Sequence, residues 1–356
     1  MNIRTILVVI AVFCFLGIMK SQDPFHYTYF DMTKVAMNPA FAGSFEGTAR
    51  VGLLYREQDY GFAFGQFRNP TFYIDVPVIR GFRQQDWIGV GMSYIYDEQL
   101  YEEGKVVTIK GFGGISYHLA FDKKAKNVLS IGLASGTSSS YVTDPTITTY
   151  SELGTDPNPD PIENSIKVKN PAGGSSGGGG GLGSAQLTAG LHFRSYIGKE
   201  TELNTGVSVA NLTTFRGGRV DESIATGSYS TAPMRFLVYG YYKTPVADKI
   251  KIEPRLFFQY RQPSWDLQVQ TLAYFLLNEE KGITLSGGLG YSAVNGLQFL
   301  LGADIKDFRI GYSFDLNLSD KTQVSGAAGA FELGVAYILK LYKKPKPDPV
   351  LVCPRF

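Results

Sequence analysis

The feature that most constrains this chain is a side-chain period of two, held over long runs. Between 308 and 318, Phe308, Ile310, Tyr312, Phe314, Leu316 and Leu318 share one face, while Arg309, Gly311, Ser313, Asp315 and Asn317 share the other. Residues 331–341, 283–293 and 250–260 alternate in the same way. A period of two is that of a strand whose two faces meet different surroundings. Strands of soluble sheets average about 5–6 residues. Many runs here reach roughly 10–15, near the length a tilted strand needs to cross a bilayer. Hydrocarbon offers no hydrogen-bond partner, so strands that cross it must close on themselves. The expected fold is therefore all-β: a transmembrane antiparallel β-barrel of the outer-membrane type. Its apolar face would meet lipid, and its polar face, with His192, Arg194, Lys251, Arg255, Arg309 and Asp315, would line the lumen.

Fourteen such strands are expected, near 45–56, 70–80, 86–97, 104–120, 126–137, 184–198, 201–212, 232–244, 248–262, 264–277, 280–293, 296–305, 306–319 and 326–342. The connections give an independent check. The longer ones (57–69, 138–183, 213–231 and 320–325) are the first, fifth, seventh and thirteenth, and every even-numbered connection is short. Long and short loops thus segregate to opposite ends. Outer-membrane barrels do the same, with short periplasmic turns and longer outer loops. On that rule both termini face the periplasm of a Gram-negative envelope.

Composition agrees with strands. Gly (41), Tyr (22) and Phe (24) are abundant and charged residues make up only 19%, a pattern of short turns and aromatic-rich strands rather than helices. The net charge of +2 supplies no field to recruit nucleic acid.

Four segments follow. Residues 1–21, with Arg4 before the apolar stretch Ile6 to Met19, read as a signal peptide. Residues 22–44 are too apolar for a plain linker; they would lie on the periplasmic side or fold up into the lumen. Residues 45–342 form the barrel, with the Pro- and Gly-rich outer loop 138–183 too poor in apolar residues to order itself. Residues 343–356 form a periplasmic tail in which Pro345, Pro347, Pro349 and Pro354 favour an extended, docking-competent chain.

No motif for catalysis emerges. His26, His118 and His192 are far apart, and no Cys/His/Asp cluster has metal-ligand spacing. Gly132 to Gly136 carries its serine in the wrong place for a nucleophile elbow. The Gly-rich pieces 111–114 and 287–290 sit inside strands, where small residues relieve crowding in the lumen or at bends. His192 with Arg194 reads as a solvated lumen pair, and Glu253 with Arg255 as a pair filling a barrel that has no plug. The expectation is a protein without enzymatic activity, metal or cofactor.

Gln22-Asp23-Pro24 followed by Asn38-Pro39-Ala40-Phe41-Ala42-Gly43-Ser44, the run Gly311-Tyr312-Ser313-Phe314-Asp315 with Asn317-Leu318-Ser319, the later Phe331-Glu332-Leu333-Gly334, and the ending Cys353-Pro354-Arg355-Phe356 resemble the PorP/SprF family of type IX secretion and gliding-motility membrane proteins. The resemblance spans nearly the whole mature chain, apart from the Gly-rich 138–183 loop. It implies a barrel in outer-membrane lipid that supports secretion or surface anchoring of a dedicated cargo protein and contacts periplasmic ring lipoproteins of the machine. Asn38, Pro39 and Phe41, and Cys353, Pro354, Arg355 and Phe356, are the expected partner-binding residues, with the long outer loops facing cargo. The competing expectation is a general porin or small-solute transporter.

Overall fold

A computed structural model describes residues 27–58, 66–80, 85–101, 104–142, 182–198, 200–212, 234–261, 264–294, 296–318 and 328–341. Fourteen strands close into one antiparallel barrel. They are β1 (Ala49–Gln58), β2 (Phe67–Arg80), β3 (Trp87–Tyr101), β4 (Gly104–Ala120), β5 (Asn127–Val142), β6 (Leu182–Ile197), β7 (Thr201–Ala210), β8 (Arg235–Ala247), β9 (Ile250–Arg261), β10 (Ser264–Asn278), β11 (Ile283–Ser292), β12 (Gly296–Ile305), β13 (Phe308–Leu316) and β14 (Ala328–Leu339). Each strand pairs with its sequence neighbour, and β1 closes the ring on β14 from Ala49↔Leu339 to Gln58↔Ala330. Among the described strands none is left as an edge to template aggregation.

All fourteen expected strands are present, and most limits fall within a few residues of the expected ones. β1 begins four residues later than expected, at Ala49, while the strands flanking the 138–183 loop are longer than expected. β5 runs on to Val142 and β6 begins at Leu182, because Thr137 to Ser140 pair with residues 182–185. The remainder of the 138–183 loop, the signal segment and the tail after Leu341 lie outside the described residues.

Alternation sorts the side chains as expected. On β13, Tyr312 faces outward while Gly311, Ser313 and Asp315 are buried inward. Leu53, Ile115, Leu133, Leu289, Leu301 and Leu333 are among the large apolar residues left exposed on the outer wall, where lipid covers them. Near the short-turn end, Phe308 of β13 and Tyr337 of β14 lie opposite one another with ring centroids 6.4 Å apart, in the manner of an interfacial aromatic belt.

Between β4 and β5 the chain turns at residues 121–126. Asp122 organises this turn by accepting the backbone N–H groups of Lys124, Lys126 and Asn127. The amides of Lys126 and Asn127, with that of Lys124, hold its carboxyl below the usual carboxylate range although it is only partly buried.

Candidate functional site

The lumen is filled by the chain's own amino-terminal segment. Of the two placements open for residues 22–44, the described part, from Tyr27 onward, lies inside the wall. Its path is a 3-10 turn (Phe30–Met32), a one-turn helix α1 (Lys34–Met37) and a second 3-10 turn (Pro39–Phe41). Local chemistry sets these breaks. Thr33 donates its hydroxyl to the Phe30 carbonyl at 2.8 Å. Asn38 is extended and accepts the Ala40 N–H at 2.9 Å, capping a turn whose first residue is Pro39. Phe30, Met37 and Phe41 are at most 2% exposed and pack on Leu237, Tyr239, Phe257 and Leu272 of the wall.

Ionic layers fix the plug from top to bottom. Nearest the long-loop end, buried Arg56 donates Nη1 to Glu332 at 2.5 Å and to Asp315 at 3.3 Å. The plug completes this layer: the Thr28 and Tyr29 N–H groups donate to the two Glu332 oxygens at 2.7 and 2.8 Å, and the Thr28 hydroxyl donates to Asp315 at 2.8 Å. Deeper in, Asp31 accepts from Arg255 at 2.8 Å and from Arg309 at 3.3 Å. Arg255 also meets Glu253 at 2.5 Å, and Arg309 meets Asp304 at 2.7 Å. Close to the short-turn end, Arg50 binds Asp75 and the Phe41 carbonyl, and the Gly43 N–H donates to Asp75 at 2.7 Å. Burying such charges is tolerable because each finds opposite charge and hydrogen bonds.

The Glu253–Arg255 pair is therefore present, but the idea of a barrel without a plug is corrected. Arg255 turns both terminal nitrogens to Asp31 of the plug, and Nη2 also donates to Tyr274 of the wall. The sequence carried a trace of this in its lumen glycines. A Cβ at Gly132 would overlap the backbone of Pro39 and Ala40, one at Gly190 the Asn38 side chain, and one at Gly89 the Ala42 carbonyl. These glycines are the floor on which the plug backbone lies. Gly113, on the outer face, has nothing near it.

The expected site residues divide into two groups. Asn38, Pro39 and Phe41 come together inside the barrel. The Asn38 Nδ2 donates to the Leu191 and Val207 carbonyls at 2.9 and 3.1 Å and to the Tyr239 hydroxyl at 3.2 Å. Phe41 lies 4.2 Å, ring to ring, from His192. His192 reads as a packed wall residue, bonded to the Tyr239 hydroxyl at 3.0 Å. Cys353, Pro354, Arg355 and Phe356 lie outside the described residues. Sequence reasoning missed Thr28 and Asp31, the plug's anchors, because neither belongs to a recognisable motif.

Below the plug, at the short-turn end, the lumen opens into a cavity of about 680 Å³. Phe45 to Thr48, Arg80, Trp87, Lys124, Arg194 and Lys340 are among its lining residues.

A closed, internally plugged barrel of fourteen antiparallel strands, apolar outside and polar inside, defines an outer-membrane β-barrel. Residues 18–337 match the family described as type IX secretion system membrane protein PorP/SprF, and the chain belongs to that family. It is thus an outer-membrane barrel of the type IX secretion system. Among solved structures, the P. putida toluene transporter TodX matches with a TM-score of 0.51 at 11% identity, over 87% of this chain and 95% of that one. The Ralstonia pickettii toluene transporter TbuX matches with a TM-score of 0.48 at 11% identity, over 87% of this chain and 94% of that one. At such identity the TodX likeness speaks to fold alone. No curated protein sequence matches the chain.

Proposed function

We propose that this barrel is a non-enzymatic anchoring and support subunit: it holds a dedicated cargo protein during secretion or surface attachment through its long outer loops, and it meets the periplasmic ring lipoproteins through its short-turn end and termini. Both termini belong to the periplasmic side in this reading. Asn38, Pro39 and Phe41 serve by setting the plug against the wall, and Cys353 to Phe356 serve as the docking end of the tail.

The observation that carries the reading is the plug. A porin works through an open lumen, whereas here residues 27–45 occupy it and are held by buried charge at Thr28, Asp31 and Phe41. A barrel closed in this way is better suited to holding partners than to passing solutes.

Planar-bilayer recording tests this against the porin alternative. The full-length protein should insert without steady ionic current. Steady conduction by the wild-type barrel would overturn the anchoring reading. Removing 344–356 should leave a folded barrel with impaired cargo display in cells, and normal display by that truncation would refute the tail's role.

A further inference from the structure

We propose that the cavity at the short-turn mouth is a docking site for a short acidic protein segment. The inference deepens the contact with periplasmic machinery just proposed, and rests on that reading only for the side of the membrane from which the segment arrives.

The cavity holds more positive charge than its own carboxylates neutralise. Arg80, Lys124, Arg194 and Lys340 line the cavity against one carboxylate, Glu46. Lys340 pairs with Asp307. The other three cations have no carboxylate partner among the described residues. Arg80 donates to a backbone carbonyl, that of Gly47, at 2.9 Å. Arg194 lies 5.6 Å from the Tyr196 ring, and its Nε is buried with no hydrogen-bond partner. By contrast, the lumen arginines Arg50, Arg56 and Arg255 all meet carboxylates. A guanidinium donor withdrawn from water with nothing to accept it favours an arriving anion.

Shape and surroundings select the kind of anion. The cations converge in a concavity whose volume lies in the ordinary range of ligand sites, roughly 300–1,000 Å³, and Phe45, Pro77 and Trp87 supply an apolar wall. The rim outside it is of mixed sign: Asp122, Asp248, Glu279 and Glu280 stand among Lys123, Lys126, Lys249 and Lys281 in the turns of the same end. A flat lipid surface would meet that mixed rim and would not reach Arg194. A protein segment can enter, placing aspartate or glutamate on the cations and its apolar atoms on Trp87.

The test uses the full-length protein in nanodiscs of neutral lipid and a fluorescein-labelled octaglutamate peptide, read by anisotropy. Saturable binding is expected, weakening as salt rises from roughly 50 to 300 mM. The double variant Lys124→Glu/Arg194→Glu should bind about tenfold more weakly, and the rim variant Lys249→Glu should bind like wild type. Arg194→Gln is the milder second variant should the double variant lose the heat-dependent gel shift of a folded barrel, and it should also weaken binding. Absence of saturable binding, equal binding by the Arg194→Gln variant, or equal binding of an octalysine peptide would overturn the site. Equal competition by anionic phosphatidylglycerol vesicles would overturn the protein segment in favour of a lipid headgroup. None of these outcomes depends on whether the barrel conducts ions or displays cargo.

Discussion

Asp31 of the plug accepts hydrogen bonds from Arg255 of β9 at 2.8 Å and from Arg309 of β13 at 3.3 Å, so one carboxylate ties together strands on different parts of the wall. Replacing it with alanine leaves Arg255 with only Glu253 and Tyr274 for its donors. Stranding a buried partner of this kind costs about 3–5 kcal/mol, and the half-exposed Arg309 adds little to that. Asp31→Ala should lower the temperature at which the barrel loses its compact gel mobility, and Asp31→Asn should lower it less.

The layer at Arg56 makes a separate prediction about accessibility. Glu332 takes the backbone N–H groups of both Thr28 and Tyr29. In a background with Cys353 changed to serine, Phe30→Cys should resist a water-soluble maleimide, since that position is fully buried. Adding Glu332→Ala should open it to rapid labelling. Equal, slow labelling in both would show that the plug's upper end is held by other contacts.

Glycine positions offer a paired test of the plug's footprint. Gly132→Val would drive a side chain into the Pro39–Ala40 backbone, costing roughly 1–3 kcal/mol or displacing the plug. Gly113→Val on the outer face meets nothing and should leave thermal stability within about 0.5 kcal/mol of wild type.

The outer wall should tolerate charge poorly. Leu301, mid-strand on β12, is 61% exposed toward lipid. Leu301→Arg there should destabilise the inserted barrel by roughly 2–4 kcal/mol, measured by refolding into liposomes from urea.

Acid should loosen one turn before the barrel. The Asp122 carboxyl sits below its ordinary range because the amides of Lys126, Asn127 and Lys124 hydrogen-bond its ionised form. Its contribution is fully present above the unfolded carboxylate value of about 3.9 and is lost as pH falls through the lower folded value. Amide exchange at Lys126 and Asn127, corrected for intrinsic rates, should show protection that disappears below this window, and should show none at any pH in Asp122→Ala.

The barrel was legible because its physics is periodic. β4 and β12 fall on the limits that alternation alone assigns, and loop parity fixed the strand count. The plug was only half legible. Residues 27–44 contain one-turn helices too short to show a period, and their partners lie hundreds of positions away, as with Thr28 and Glu332, separated by 304 residues. What could have decided the matter was Gly89, Gly132 and Gly190, all at lumen-facing positions, whose missing side chains mark where another backbone runs. The anchors Thr28 and Asp31 carry no signature of their own; the wall residues that meet them give them their roles.

The plug precedes every strand in the chain, yet its anchors Asp315 and Glu332 sit on β13 and β14, the last to be made. Its upper latch therefore stays incomplete until the end of synthesis, and the ring seals only when β14 meets β1. Inserting the segment afterwards would mean threading it through a finished cylinder. Closing the wall around a segment already in place avoids that threading and makes sealing the barrel and filling it one late event, slow by virtue of its long-range contacts.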